Sequence, residues 1–406
     1  MIARLRDRLA DRNRLPRPVN AAIDWVAAHP MSIPGRLAAL RYGRPQPGTP
    51  VTAFAPADRR LLIAPVNYSG QGRAWAAALE ATNLSISARN MAVEVPGGFA
   101  FAADLIVPVA VYQYDRDWQR RQFEAVATSA THVLVEAQEP PFGRLWGRRT
   151  DKQVAALVAR GVDVAFMAHG TDIRLPSRHI ARSRWSHYAD PSVYVPRLEQ
   201  LARHNRALLD RAGRPVFVST PDLLADVGEA EWCPVVVDPQ RWANPSALGE
   251  KSAGPLRVAH APSVASTKGT ALIAPVLAEL EALGIIEYRQ ITGIPSAQMP
   301  EVYWNADIVL DQFRVGSYGV GACEAMAAGC VVVGHVMDDV RDIVRDTTGQ
   351  RLPVVEATAD TLEAVLRALA EDGESLRNTR SAGIGFVREV HDGRLSSSVL
   401  TTTWLH

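Results

Sequence analysis

The sequence predicts an α/β chain made of two doubly wound parallel-sheet halves. Three observations predict it. Short apolar runs recur in two series, 61–64, 105–112, 132–136, 164–168 and 216–219, then 256–260, 285–291, 308–310 and 331–333. Helical stretches separate them, and strands alternating with helices imply a parallel sheet covered on both faces. A polar stretch at 244–254 parts the two series, and 406 residues suffice for two domains. In such folds ligands sit at the carboxyl ends of the strands.

Taken in order, residues 1–58 read as a basic arm and linker. Residues 1–46 hold nine arginines against three aspartates, in a chain whose net charge is only +1. Ile2, Leu5 and Leu9 share one helical face among those arginines. That pattern suits either an interfacial membrane helix or a solvated helix packed on the first domain. Pro-Gln-Pro-Gly-Thr-Pro at 45–50 is a linker. The first domain spans 59–240, with a strand at 61–64, a small glycine loop at 67–72 and a helix at 73–81. Asp115 and Asp117 are acids at a helix start, which favours a capping role over metal binding. Residues 182–212 are charged and helical. The second domain spans 241–385, with helices at 271–283 and 362–371. A last helix runs over 374–390, and the tail 386–406 is expected to pack back on the first domain.

Hydrophobic residues make up 47% and charged residues 21%, the range of an ordinary globular protein. No apolar run approaches the ~18 residues of a membrane span. The arginine-rich N-terminus lacks the apolar core of a signal peptide. Cys233, Cys323 and Cys330 lie in apolar surroundings without metal-ligand spacing, which fits buried thiols in a reducing, cytoplasmic compartment.

The segment 307–334 carries the most chemistry. It reads as strand, glycine-rich loop, helix and strand. Gly316, Gly319 and Gly321 let the backbone approach a ligand. A helix from about 319 to 328 stops at Gly329. Its free N–H groups and dipole favour phosphate. Glu324, on its first turns, can accept hydrogen bonds from sugar hydroxyls. Together these suggest a nucleoside-diphosphate pocket. At 260–269 a strand ends and Lys268-Gly269 precede a helix, where a lysine can neutralise a diphosphate. In the first half, His169 ends an apolar strand and Glu136 ends another. Asp172 and Arg174 pair either with each other or with ligand. Gly70 and Gly72 follow the first strand and form either a ligand-side loop or a plain tight turn. The first half lacks Gly-x-Gly-x-x-Gly, which argues against a nicotinamide dehydrogenase.

Asp311-Gln312, Gly316, Tyr318-Gly319 and Glu324-Ala325-Met326-Ala327 resemble the donor-nucleotide site of GT-B glycosyltransferases. They are most similar to a subgroup of glycosyltransferase family 4 with Asp-Gln, Gly-x-Tyr-Gly and Glu-Ala-Met-Ala. Two positions depart from the usual family pattern. Gly316 stands where a first Glu lies against the donor sugar, and Ser263 stands where an Arg accompanies Lys268. The resemblance implies a GT-B architecture, two Rossmann-like domains facing across a cleft. It implies transfer of a sugar from a UDP- or GDP-sugar to a glycan, lipid or small-molecule acceptor, with retained configuration and neither metal nor cofactor. Lys268 and His169 would be catalytic. Glu324, Gly316, Tyr318, Gly319, Val320, Gly321, Ser263, Thr267 and Gly293 would bind the donor nucleotide and phosphates. Gly70, Gly72, Glu136, Asp172 and Arg174 would lie on the acceptor side. A sugar-nucleotide 2-epimerase-like enzyme and a non-catalytic nucleotide-sugar-binding subunit are the alternatives. No nucleic-acid partner is expected, and the protein is expected to be cytoplasmic with possible contact at the inner membrane face.

Overall fold

The computed structural model describes residues 12, 15–29, 31–95, 101–245 and 254–406. The membrane-helix expectation at Ile2, Leu5 and Leu9 falls outside the described residues. No helix among the described residues is long and apolar enough to cross a membrane.

The chain forms two compact units. One comprises Met1–Pro176, Pro191–Phe217 and Leu400–His406, the other Ser177–Asp190 and Val218–Val399. The described residues hold two sheets. The first holds β1 (Arg59–Ala64), β2 (Ile86–Glu94), β3 (Leu105–Pro108), β4 (His132–Glu136), β5 (Asp163–Ala168), β6 (Val216–Val218) and β7 (Glu231–Trp232). Their spatial order is β3-β2-β1-β4-β5-β6-β7. The second holds β8 (Leu256–His260), β9 (Ile286–Gln290), β10 (Ile308–Leu310), β11 (Val331–Gly334) and β12 (Val355–Glu356), ordered β12-β11-β10-β8-β9. All pairings from β3 through β5, and throughout the second sheet, are parallel. The α/β expectation therefore holds. Strand order reverses between β1 and β4 in one sheet and between β8 and β10 in the other. Those two switch points are where such folds bind ligands.

The cores explain the apolar runs. Leu61, Leu62, Ile63, Val133, Leu134, Val135, Val164, Ala165 and Phe166 are fully buried, as strands covered on both faces must be. In the second unit, Leu256, Val258, Ile308, Leu310, Val331 and Val333 pack with Ile273, Leu277 and Leu280 of the helix Thr270–Ala282. Asp307 accepts bonds from Arg257 at 3.0 Å and from Arg380 at 2.6 Å, tying the starts of β8 and β10 to the helix Gly373–Phe386. The segment before β1 is pinned to the helix Arg116–Ser129: Trp118 donates to Pro50 O at 2.8 Å and Gln122 to Thr52 Oγ1 at 2.7 Å. Asp115 caps that helix, accepting from the amides of Asp117 and Trp118 at 3.0 and 2.8 Å. In the last residues, Trp404 sets its ring edge-on to His132, 5.1 Å between centroids.

Three elements depart from the sequence reading. The run at 105–112 is a strand only to Pro108, then the helix Val109–Tyr114, because proline cannot donate to a ladder but can precede a helix. The stretch 182–212 is not one helix. It is Pro176–Arg182, a short turn His187–Ala189, and Val195–Ala212 with a proline in its first turn. The strand β2 has no counterpart among the apolar runs.

Candidate active site

At the second switch point, side chains join the ends of β8 and β10. His260 ends β8 and is fully buried. Burial lowers its pKa, keeping the ring neutral. Its Nδ1 faces the carbonyl of Leu310 at 2.8 Å and its Nε2 the Thr270 hydroxyl at 2.9 Å. One imidazole thus clamps both strand ends to the start of a helix. The intervening turn, Ala265–Lys268, ends at Gly269 with φ +80°, where a Cβ would lie 3.3 Å from Phe313. The Lys268 carbonyl accepts from the Phe313 amide at 3.0 Å, and its ammonium is ion-paired with Asp311, just beyond β10. Ser263 is exposed and Thr267 half-buried on the same turn.

The glycine loop leaves β10 through Asp311 and Gln312, whose side-chain amide donates to the Ser317 carbonyl. Gly316 has φ +72°, and a Cβ there would come within 2.8 Å of Met337 Cγ. Met337 thus occupies the space beside Gly316. Tyr318 faces the core rather than the loop surface: it is 2% exposed and its hydroxyl lies 3.2 Å from His391 Nε2. His391 in turn places Nδ1 2.8 Å from the Val235 carbonyl. The helix Val320–Ala327 begins after Gly319 with no side-chain cap, and positions 319 and 321 face open space. Its first amides are free of the usual capping partner, the arrangement that receives an anion. Glu324 lies one turn in. Burial raises its carboxyl to about 7, against the pull of Arg241 and Lys268. Among the described residues its side chain makes no hydrogen bond or ion pair. Gly293, with φ +70°, follows β9 in open surroundings.

At the first switch point, β1 leads through Tyr68 and Ser69 to Gly70, which precedes the helix Gln71–Thr82 with φ +75°. Gly72 is required by contact: a Cβ would lie 2.4 Å from Asn90 Nδ2 and 3.1 Å from Glu136 Oε2. Glu136 is fully buried, and neither carboxyl oxygen has a well-aligned hydrogen bond. Burial raises its pKa well above the ordinary carboxylate range; the Val66 amide pulls the other way. Its Oε1 lies 3.3 Å from Nε2 of His169, whose side chain is 8% exposed. The His169 ring stacks on Trp75 at 5.7 Å and meets the edge of Tyr68 at 5.2 Å. Burial pushes this imidazole down to about 4, with Asp172 pulling upward. Asp172 turns inward: its carboxylate accepts from the amides of His169 at 3.1 Å and Gly170 at 2.5 Å, shaping the turn. Arg174 is buried beside Gly170.

The expected residues thus form two groups, one at each sheet's switch point. Lys268, Gly319, Val320, Gly321 and Glu324 share one, and Gly72, Glu136 and His169 share the other. Tyr318 meets His391 in the core, and Asp172 holds the backbone turn at His169 and Gly170. Sequence reading missed His260 and Asn90. A polar residue ending an apolar strand was the available signal for His260. Asn90 gave none, because it sits in a polar strand. Among the described residues, no group of three or more His, Cys, Asp or Glu is placed to hold a metal ion.

Residues 277–385 match the family model described as glycosyl transferases group 1. A comparison with curated proteins gives no match. Among solved structures, sucrose-phosphate synthase from Thermosynechococcus elongatus is similar with TM-score 0.57 and 11% identity, over 86% of this chain and 98% of that one. Trehalose-6-phosphate synthase OtsA is similar with TM-score 0.54 and 10% identity, over 85% and 98%. HepE from Anabaena, in complex with UDP, is similar with TM-score 0.52 and 12% identity, over 85% and 99%. At these identities the likeness is one of fold.

Proposed function

We propose that this chain, a glycosyltransferase of the GT-B fold, moves a sugar from a nucleoside-diphosphate sugar to an acceptor hydroxyl, with the nucleotide held on the second unit. One observation carries the reading. Glu324, Lys268 and an uncapped helix N-terminus sit at the second sheet's switch point, and the carboxyl of Glu324 feels the charge of Lys268. A carboxylate suits ribose hydroxyls, and a lysine with free amides suits phosphate. The arriving diphosphate takes the ammonium from Asp311. In the transfer, the bond from the anomeric carbon to the phosphate oxygen breaks and its electron pair leaves with the diphosphate. The acceptor oxygen bonds to that carbon and its proton passes to the leaving phosphate, so configuration is retained. Lys268 and the helix amides stabilise the departing charge without a metal.

HepE, which shares the fold, is described with UDP and with UDP-glucose, so UDP-sugars head the list of donors to try. A thermal-shift screen of UDP-, GDP- and TDP-sugars, followed by calorimetry on wild type and Glu324→Ala, tests the assignment. Unchanged affinity in the variant would remove Glu324 from the site. Nucleotide release from donor without any acceptor would favour the epimerase-like alternative.

A second reading concerns the arm. Ile33, Leu37 and Leu40 are 79%, 63% and 75% exposed, spaced along one helix and its end, with Arg36 among them. Apolar side chains presented with arginines suit an anionic lipid surface. Flotation with vesicles containing phosphatidylglycerol, compared with an Ile33→Ser/Leu37→Ser variant, tests this. Equal flotation of the two would leave the patch without that role.

A further inference from the structure

Glu136 cannot serve an acceptor directly, because both its oxygens are buried. What it does reach is His169, at 3.3 Å through Nε2. Nε2 is buried and lacks an aligned hydrogen bond, as are both oxygens of Glu136. Buried polar atoms facing each other at contact distance, without other well-aligned bonds, are costly unless they serve one another. Catalytic hydrogen bonds are often poorly aligned before a ligand arrives and tighten afterwards. The His169 ring stacks on Trp75 and stands perpendicular to Tyr68, so it has little freedom to turn elsewhere.

We propose that Glu136 is a positioning residue that holds His169 by its Nε2 edge and so presents Nδ1 as an uncharged N–H donor to a sugar oxygen. The inference rests on the proposed glycosyltransferase function. The proton bookkeeping is closed. The protonated carboxyl donates its O–H to Nε2, which leaves the ring's own proton on Nδ1. Burial favours the uncharged form of both groups. The groups that face the pair are Tyr68 from the loop after β1, Asn90 from β2, and Asp172 from the ring's own loop. The Asp172 carboxyl is already engaged by two backbone amides. Gly72 completes the arrangement, since any side chain there would displace the carboxyl and Asn90.

The test uses Glu136→Met and Glu136→Gln in the full chain. Met matches the size of Glu but cannot donate, whereas the Gln amide can. Met is expected to lower kcat/KM by about ten- to a hundred-fold, the cost of a misplaced contact, and Gln to recover most of that loss. Thermal stability of the Met variant should be unchanged or higher, because an unsatisfied carboxyl has been removed from the core. A merely structural glutamate would instead show Gln and Met alike in activity. Long-range nitrogen–proton NMR spectra of the His169 ring read the tautomer without any turnover: Nδ1–H in wild type and Gln, altered in Met. An Nε2–H tautomer in wild type, or full activity in Met, overturns the proposal. Failure of all variants and wild type to turn over any sugar nucleotide, with the Nδ1–H tautomer intact, overturns the transferase assignment of the site instead.

Discussion

At the residue scale, Glu324 makes the sharpest claims. Its carboxyl is raised to about 7 by burial, so the folded state favours the protonated form. The stabilising effect is complete below the unfolded value near 4.5 and is lost as pH rises through about 7. Glu324→Gln should therefore gain stability over wild type between pH 5 and 8, on the order of 2 kcal/mol after allowance for partial exposure. Urea titrations at several pH values measure it; parallel pH profiles for the two proteins would contradict it. Ribose hydroxyls donating to the carboxylate favour its ionised form. UDP-glucose affinity should thus rise by roughly five- to ten-fold from pH 6 to 8, and the rise should vanish in Glu324→Ala. Lys268→Ala should lower kcat by about a hundred- to a thousand-fold while changing donor affinity less, as loss of a group acting on departing charge does. These residues were legible in sequence because glycine, lysine and glutamate at loop–helix junctions have few other reasons to cluster. Lys268's tie to Asp311 was not legible, since the two are brought together only by the strand order.

At the element scale, the loop at Gly316 joins backbone strain to packing. Ala there meets an unfavourable left-handed φ and the side chain of Met337 at once. Gly316→Ala should cost roughly 1–3 kcal/mol. Met337→Ala in the same chain should recover only the packing part, which a double-mutant cycle separates from the strain. Placing a carboxylate there with Gly316→Glu alone should therefore fail to improve donor binding. Most elements could be read from periodicity, and the strand β8 and the helix Leu362–Glu371 match their sequence bounds. The strand β2 could not. Its Ser87, Arg89 and Asn90 are polar yet engaged: Ser87 accepts from Ala55 N at 3.1 Å, and the Asn90 amide group donates to Ile63 O at 3.0 Å. Hydropathy sees a polar stretch where hydrogen bonding has built a strand.

At the scale of the whole molecule, each unit owns a core, so unfolding need not be a single transition. A nucleotide that binds the second unit alone should raise the melting of that unit and leave the other where it is, by linkage. Calorimetric scans with and without UDP test this: a uniform shift of all transitions would mean that the units melt together. The division into two α/β units was visible in the sequence as two series of strands. The chain's returns were not, because residues 177–190 and 400–406 carry no mark of the unit they join.

Those last residues close the first unit with chain made after the whole of the second. The second unit ends at Val399 and has all of its strands in hand by then. The first unit, begun earliest in synthesis, still lacks Leu400–His406 and the ring of Trp404 that meets His132. Synthesis starts one unit first and completes the other first.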